Sequence, residues 1–297
     1  MGSRLLAWQI LVASTLTFAA ASCSTEDTSS SPDAATPTTT PQPGSTPVDA
    51  GVDTGINAGD PCTGRLVCDS FEDRTVGGAP GTAWKVETAT GGTVTVSDTR
   101  AYGSGKRSVK LTTPTATYQR AMMVMTGGPL FAAASTAKTT LYGRMMVWLE
   151  TPAANGVHWT MLAGEGPVAS KPGVRASSRY GGQQMGRMMA NYDTSGAKSD
   201  CWQHSATVMP TGKWACFAWK LAGPKNDMTL AMNGKDITDL QVGEKGQGCI
   251  SHDLTDVWLP PTFERAALGW ESYQQDLGHT MYIDDVILDD QPIACVP

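Results

Sequence analysis

His158, Tyr192, Arg144, Arg187 and Gln184 are the side chains of this 297-residue chain whose types could together take a proton from carbon and return one to oxygen. A neutral imidazole or a tyrosine can act as base, and a tyrosine can protonate a leaving oxygen. Arginines, with an amide such as Gln184, can hold an enolate-like intermediate between those two steps. These are the parts needed for β-elimination at a uronic acid, with His158 or Tyr192 as base and Arg144 and Arg187 as stabilisers. The uronate carboxylate must first be partly neutralised, and arginine does this with a planar fork that lysine lacks. Sugar contacts would come from Trp148, Asn191, Trp202, His204, Glu271 and Tyr273, with Gln183 at an edge. The same residues also suit a module that binds polysaccharide without chemistry. For His158 alone, the plain reading is a hydrogen-bonding strand residue.

A second set is acidic. Glu72 lies just before an expected first strand, and Asp284 and Asp285 fall within the last. Neighbouring strand residues point to opposite faces, so Asp285 is expected beside Ile283 and Ile287, where a charge needs a partner. Calcium takes roughly six to eight oxygen ligands. Glu72, Asp285 and carbonyls of the Tyr102–Lys106 turn could supply them, as a structural staple. The competing reading makes both acids ordinary edge or surface residues.

The elements that must position these residues read as strands. Short apolar or alternating runs occur at Thr93–Ser97, Ser108–Thr112, Gln119–Met125, Thr139–Leu149 and His158–Ala163. Further runs occur at Gly186–Tyr192, Trp214–Leu221, Met228–Met232, Ala266–Tyr273 and Met281–Leu288. Gly, Pro and Asn separate them, and no long run has a period of 3.6, which predicts an all-β sandwich. Asn233-Gly234 predicts a tight hairpin. Alternation puts Tyr142, Arg144, Met146 and Trp148 on one strand face. His158 shares a face with Thr160 and Leu162, Arg187 with Met189 and Asn191, and Glu271 with Tyr273. If these polar faces line one sheet, they make a groove. The adjacent pairs Met122-Met123, Met145-Met146 and Met188-Met189 should each send one side chain inward and one outward.

Four stretches in order carry a family resemblance: Cys68-Asp69-Ser70-Phe71-Glu72, Gly143 to Trp148, Gly212 to Trp219, and Tyr282 to Val286. Together they resemble the jelly-roll core domain of a cellulose-induced fungal protein that carries a cellulose-binding module. The resemblance covers about residues 62–297. It implies a concanavalin-like β-jelly-roll sandwich of two antiparallel sheets, similar to polysaccharide lyases of glucuronan and alginate. It also implies a calcium ion near the first and last strands, with Glu72 and the second Asp on the metal.

The rest of the chain sets the setting. Arg4 and an apolar stretch to Ala21 read as a signal peptide over residues 1–22. Cys23 then resembles the lipidated residue of a bacterial lipoprotein, although Ala20 replaces the usual Leu, and Ser24 points to the outer membrane. Ordinary secretion is the alternative. Residues 23–60 read as a Ser/Thr/Pro/Asp tether without aromatics, and residues 61–297 as the folded domain. The tether holds six acids and no base, leaving 22 acidic and 21 basic residues in 61–297. That balance excludes a general nucleic-acid binder. The six later cysteines, Cys62, Cys68, Cys201, Cys216, Cys249 and Cys295, suggest disulfides in an exported domain, with Cys62–Cys68 a local clamp and Cys295 holding the C-terminus.

The chain lacks the paired-carboxylate motif of jelly-roll glycosidases, a Gly-x-Ser-x-Gly elbow and nucleotide-binding glycine patterns. The expectation is a monomeric, surface-anchored polysaccharide-binding domain. A uronate lyase or a structural, protein-binding surface domain are the alternatives.

Overall fold

The computed structural model describes residues 61–131, 138–195, 200–222, 227–243, 250–251, 259 and 261–295. The signal peptide, the tether and Cys23 lie outside the described residues, as does Cys249. The strands in chain order begin with β1 (Val67–Asp69), β2 (Lys85–Ala89), β3 (Thr93–Ser97), β4 (Ser108–Thr113) and β5 (Gln119–Met125). They continue with β6 (Thr140–Leu149), β7 (Trp159–Pro167), β8 (Arg175–Gln183), β9 (Arg187–Ser195) and β10 (Asp200–Val208). The last six are β11 (Trp214–Ala222), β12 (Thr229–Met232), β13 (Lys235–Asp236), β14 (Ile250–Ser251), β15 (Arg265–Ser272) and β16 (His279–Asp289).

Among the described residues these strands form two antiparallel eight-stranded sheets, as the jelly-roll expectation required. One runs β13-β12-β11-β6-β16-β4-β3, with β1 also paired to β16; we call it the strap sheet. The other, the groove sheet, runs β14-β10-β9-β8-β7-β15-β5-β2. Alternation explains their packing, since each strand sends every second side chain into the space between the sheets. From the strap sheet come Leu141, Met145, Val147, Ala215, Phe217 and Ile283; from the groove sheet come Met123, Trp159, Tyr180, Met188, Leu268 and Trp270. Each adjacent methionine pair divides as expected: Met123, Met145 and Met188 join this core, while Met122, Met146 and Met189 do not.

Sequence reading missed β1, β2, β8, β10 and β14. The sequence of β8, Arg-Ala-Ser-Ser-Arg-Tyr-Gly-Gly-Gln, contributes only Ala176 and Tyr180 to the main core. It therefore offers no apolar alternation to detect. Asn233 and Gly234 both have positive φ at the β12–β13 turn, as the hairpin signal required. Cys62 bonds to Cys68. Cys216 bonds to Cys295, tying the C-terminal segment to β11 across 79 residues of chain.

Among the described residues three register shifts shape the groove sheet, and one of them, in β10 against β9, falls between His204 and Val208. Between Thr160 and Leu162, β7 carries an extra residue, Met161, relative to β8; between Leu268 and Glu271, β15 carries an extra residue relative to β7. The expected alternation of Thr160 with Leu162 therefore fails, and both Met161 and Leu162 enter the core. Bulges of this kind turn side chains locally. Gly181 faces the β7 bulge, and a Cβ there would lie 1.9 Å from the Trp159 carbonyl oxygen.

Candidate functional site

Register places the outward side chains of the groove sheet in transverse rows. One row is Ala267, Ala163, Arg179, Asn191 and Trp202; the next is Glu271, Thr160, Gly181, Met189 and His204. His158 and Tyr273 flank the second row, with the Tyr273 amide donating to the His158 carbonyl at 3.0 Å. The pair Gln183–Arg187 closes the same end. Behind them Trp159 and Trp270 stack in the core with centroids 4.8 Å apart. Each tryptophan is an immediate chain neighbour of groove residues, so the stack fixes His158 and Thr160 on one strand and Glu271 on the other.

The side chains converge. Tyr273 Oη and Thr160 Oγ1 lie 3.0 Å apart, and the Tyr273 ring sits 5.2 Å from the His158 ring. Tyr118, from the segment before β5, is tilted against Tyr273 at 6.4 Å and donates its hydroxyl to Glu271 Oε1 at 2.6 Å. His204 Nε2 and Gln183 Oε1 lie 3.1 Å apart. Arg179 donates from Nη1 to Asp193 Oδ2 at 2.6 Å and to Asn191 Oδ1 at 3.4 Å.

Burial and charge tune these groups. Burial, reinforced by the Arg179 guanidinium and His204 and opposed by Asp193, lowers His158 to about 4. His158 is thus neutral near pH 7, as a base must be. Burial raises Tyr273 to about 12; Arg179 opposes the rise, and Glu271 adds to it. Tyr273 therefore keeps its proton. Burial and Arg187 also lower His204.

The far side of the face is an ion-pair ladder. Arg120 donates to Glu87 at 2.7 Å and Glu271 at 3.1 Å, while Arg265 donates to Glu87 at 2.7 Å and Glu165 at 2.8 Å. Burial works against the Glu87 carboxylate, but Arg265 and Arg120 outweigh it and hold its pKa down. Among these, Met122, Val124, Ala163 and Ala267 form a small buried apolar patch.

Of the residues expected at a site, the groove sheet gathers His158, Arg187, Asn191, Trp202, His204, Glu271 and Tyr273. Four others lie elsewhere. Arg144 does have the expected parity with Tyr142, Met146 and Trp148, but that face is the outside of the strap sheet. There Arg144 is 7% exposed, and Arg100 covers Trp148 with its guanidinium 3.8 Å from the ring centroid. Tyr192 points into the core at 0% exposure, donates to the Leu259 carbonyl at 2.6 Å and accepts from the Leu259 amide. It has the opposite parity from Asn191, so it cannot serve as base on this face. Gln184 occupies the β8–β9 turn with positive φ, exposed at the tip, and its neighbour Gln183 lies on the outer face of the sheet instead. Arg179, Arg120 and Tyr118 were missed. For Arg179 the available signal was the polar or small series Arg175, Ser177, Arg179, Gly181, Gln183 at a period of two.

At the acidic set, Glu72 lies after β1 rather than before a first strand. A bulge in β16 between Asp284 and Ile287 breaks the expected alternation, and Asp285 sits in it with φ 45°. Ile283 enters the core, and Ile287 does not share its face. Asp284 is the more buried acid at 2% exposure, accepting from the amides of Tyr102 and Asp285. Glu72 accepts from the amides of Lys106 and Arg107. The turn thus offers N–H groups to these carboxylates, where carbonyls were expected. Burial raises Asp284 to about 7 despite those amides, with Asp285 and Glu72 adding repulsion. Burial and Glu72 also raise Asp285, against Arg144. Among the described residues no three His, Cys, Asp or Glu side chains gather as a metal cage.

Two packed antiparallel sheets, one with a polar ionisable outer face, define a lectin-like jelly roll. The family model described as the Cip1-like core domain, polysaccharide-lyase-like, matches residues 71–291, and the chain belongs to that family. The solved structure of the cellulose-induced protein Cip1 aligns with a TM-score of 0.56 and 22% identity, over 77% of this chain and 100% of its own. That likeness shows the fold. An endo-β-1,4-glucuronan lyase from the fungus Trichoderma reesei aligns at 0.47 with 9% identity, over 76% and 95% of the two chains. Alginate lyase vAL-1 from a Chlorella virus aligns at 0.44 with 13% identity, over 70% and 93%. No curated protein matches the chain in sequence.

Proposed function

We propose that the outer face of the groove sheet binds a polysaccharide that contains uronic acid. The observation that carries this reading is the convergence of Tyr118, Tyr273, His158, Thr160 and Arg179 on one face, joined by Asn191 and Trp202 in register. Aromatic rings supply stacking surfaces for pyranoses, and fixed polar groups supply orientation. Membership of a polysaccharide-lyase-like family supports the same ligand class.

A second reading, lyase chemistry, is favoured by one feature: a neutral histidine 5.2 Å from a protonated tyrosine. His158 would take the C5 proton, Tyr273 would protonate the leaving oxygen, and Arg187 would hold the carboxylate as charge develops. In this scheme Arg144 has no part, His158 alone serves as base in place of Tyr192, and Tyr273 is the tyrosine that returns the proton. The test incubates the protein with a panel of uronic-acid polysaccharides, following ultraviolet absorbance of an unsaturated product and retardation in affinity electrophoresis. Retardation by any polymer is the expected result, and a rise in absorbance that His158→Ala abolishes adds the lyase. Free migration through every polymer would defeat both readings.

We also infer that Ca²⁺ joins Glu72 and Asp285 as a structural staple between the β1 end and β16. Carboxylate oxygens are the donors such an ion prefers, and the repulsion between Glu72 and Asp285 supports a cation there. Calcium should raise the melting temperature, and an unchanged melt on adding calcium or chelator would count against the staple. Anchoring through Cys23 at the outer membrane is likewise our proposal. Lipid labelling that Cys23→Ala abolishes is expected, and labelling that survives would refute it.

A further inference from the structure

The charge pattern of the groove sheet narrows the ligand, on the premise that this face binds polysaccharide. Its guanidiniums are mostly committed. Arg120 and Arg265 share Glu87 and each reach a second acid, Arg179 holds Asp193 at 2.6 Å, and Arg175 holds Glu264 at 2.6 Å. The two histidines add no cation near pH 7, since burial and nearby guanidiniums lower both. Arg187 differs. It is exposed on β9 and enters no ion pair among the described residues, beside Gln183 at the end that holds His158 and Tyr273.

Strands lie ~4.8 Å apart, close to the advance per sugar of an extended pyranose chain. A polymer laid across β15, β7, β8 and β9 would therefore bring each sugar near a different strand. If every sugar were a uronate, carboxylates would fall beside Glu271, Glu165 and Asp193, whose partners they could claim only by leaving those acids unpaired. Such exchanges gain little, because the displaced carboxylate loses the ion pair that the ligand takes. Hydroxyl groups meet no such conflict, since they donate to the acids and leave the ladder intact. One carboxylate has an uncontested partner, and it lies at the His158 end.

We propose that the groove takes a mostly uncharged polysaccharide bearing isolated carboxylates, one of which pairs with Arg187, rather than a polymer charged at every sugar. The test uses the full chain in affinity electrophoresis at fixed ionic strength. Three probes are compared: a homopolymer of uronic acid, a neutral polysaccharide, and a neutral backbone with occasional uronate residues. The sparsely charged polymer should bind about tenfold tighter than either other, the worth of one charge-assisted contact. Arg187→Gln, at an exposed position that leaves the core untouched, should reduce its affinity to that of the neutral polymer. Asp193→Asn frees Arg179 and should selectively raise affinity for the homopolymer. Tightest binding of the homopolymer by the unaltered protein overturns this inference but leaves the polysaccharide reading standing. Indifference of all three affinities to Arg187→Gln overturns it as well. Failure of all three polymers to bind removes both.

Discussion

Arg144 and Arg179 occupy opposite outer faces of one sandwich, and their surroundings show how differently the faces are finished. Arg144 sits under cover on the strap sheet, its Nε buried without a hydrogen-bond partner, with the Asp285 charge nearby. Around it the Cys216–Cys295 bond packs with Met146 and Ala218, and Arg100 lies over Trp148. Arg179 sits in a network that runs from Asp193 to Asn191, and its charge acts on both His158 and Tyr273. The first face spends its polar groups on closing the fold. The second keeps ionisable groups of unlike protonation side by side, a mark of sites that bind or react. An arginine between aromatics on a strand is therefore ambiguous until it is known which face is sealed.

The largest expected effect separates the faces by chemistry. If the lyase reading holds, His158→Ala should cut turnover by about 10²–10⁴-fold while leaving polymer retention in place, as steady-state absorbance and electrophoresis would show. Loss of retention without any turnover in the unaltered protein would leave a binding groove only.

Acidity should then split the two faces. Asp284 is raised to about 7 in the fold from 3.8, so the folded state holds its proton more tightly than the unfolded chain does. Its contribution is complete below the unfolded value and is lost as pH rises through the folded one. In chelator, stability should fall between about pH 4 and 7, by at most on the order of 4 kcal/mol, with calcium restoring it at the upper end. Groove chemistry should ignore that window. His158 is neutral above about 4 and Tyr273 protonated to about 12, so a pH–rate profile should be flat across neutrality. An activity transition that coincides with the stability loss would merge what we separate.

Smaller effects follow from the arginines. Arg144→Ala should lower stability by about 1–3 kcal/mol in denaturant titration with binding unchanged. Arg179→Ala, which leaves Asp193 unpaired on the binding face, should weaken binding of a carboxylate-bearing polymer about tenfold and cost little stability. The smallest change is Tyr118→Ala, which removes an exposed ring worth about 0.5–1.5 kcal/mol and should weaken binding only a few-fold.

The fold was largely legible because strap-sheet strands such as β6 and β16, and the groove strands β5 and β15, alternate apolar residues strongly enough to announce themselves. The groove was legible only in part. His158, Asn191, Glu271 and Tyr273 lie on recognised strands or at their ends, and parity placed them on a common polar side. Arg179 stands on β8, whose core-facing positions include Ser178 and Gly182, so the strand itself was hidden. Parity could not say that the Arg144 face belongs to the other sheet, because alternation orders faces within a strand and is silent on which sheet carries it. Nor could it foresee the bulges at Met161 and Asp285, each of which shifts the alternation by one residue.

The most direct test of the central claim is hydrogen exchange of the full chain with and without a bound oligosaccharide. The account predicts added protection on β7, β8, β9 and β15, strongest around His158, Arg179 and Tyr273, and no change on β6, β11 or β16. Protection centred on Arg144, Trp148 and Trp214 would contradict it and move the site to the strap sheet.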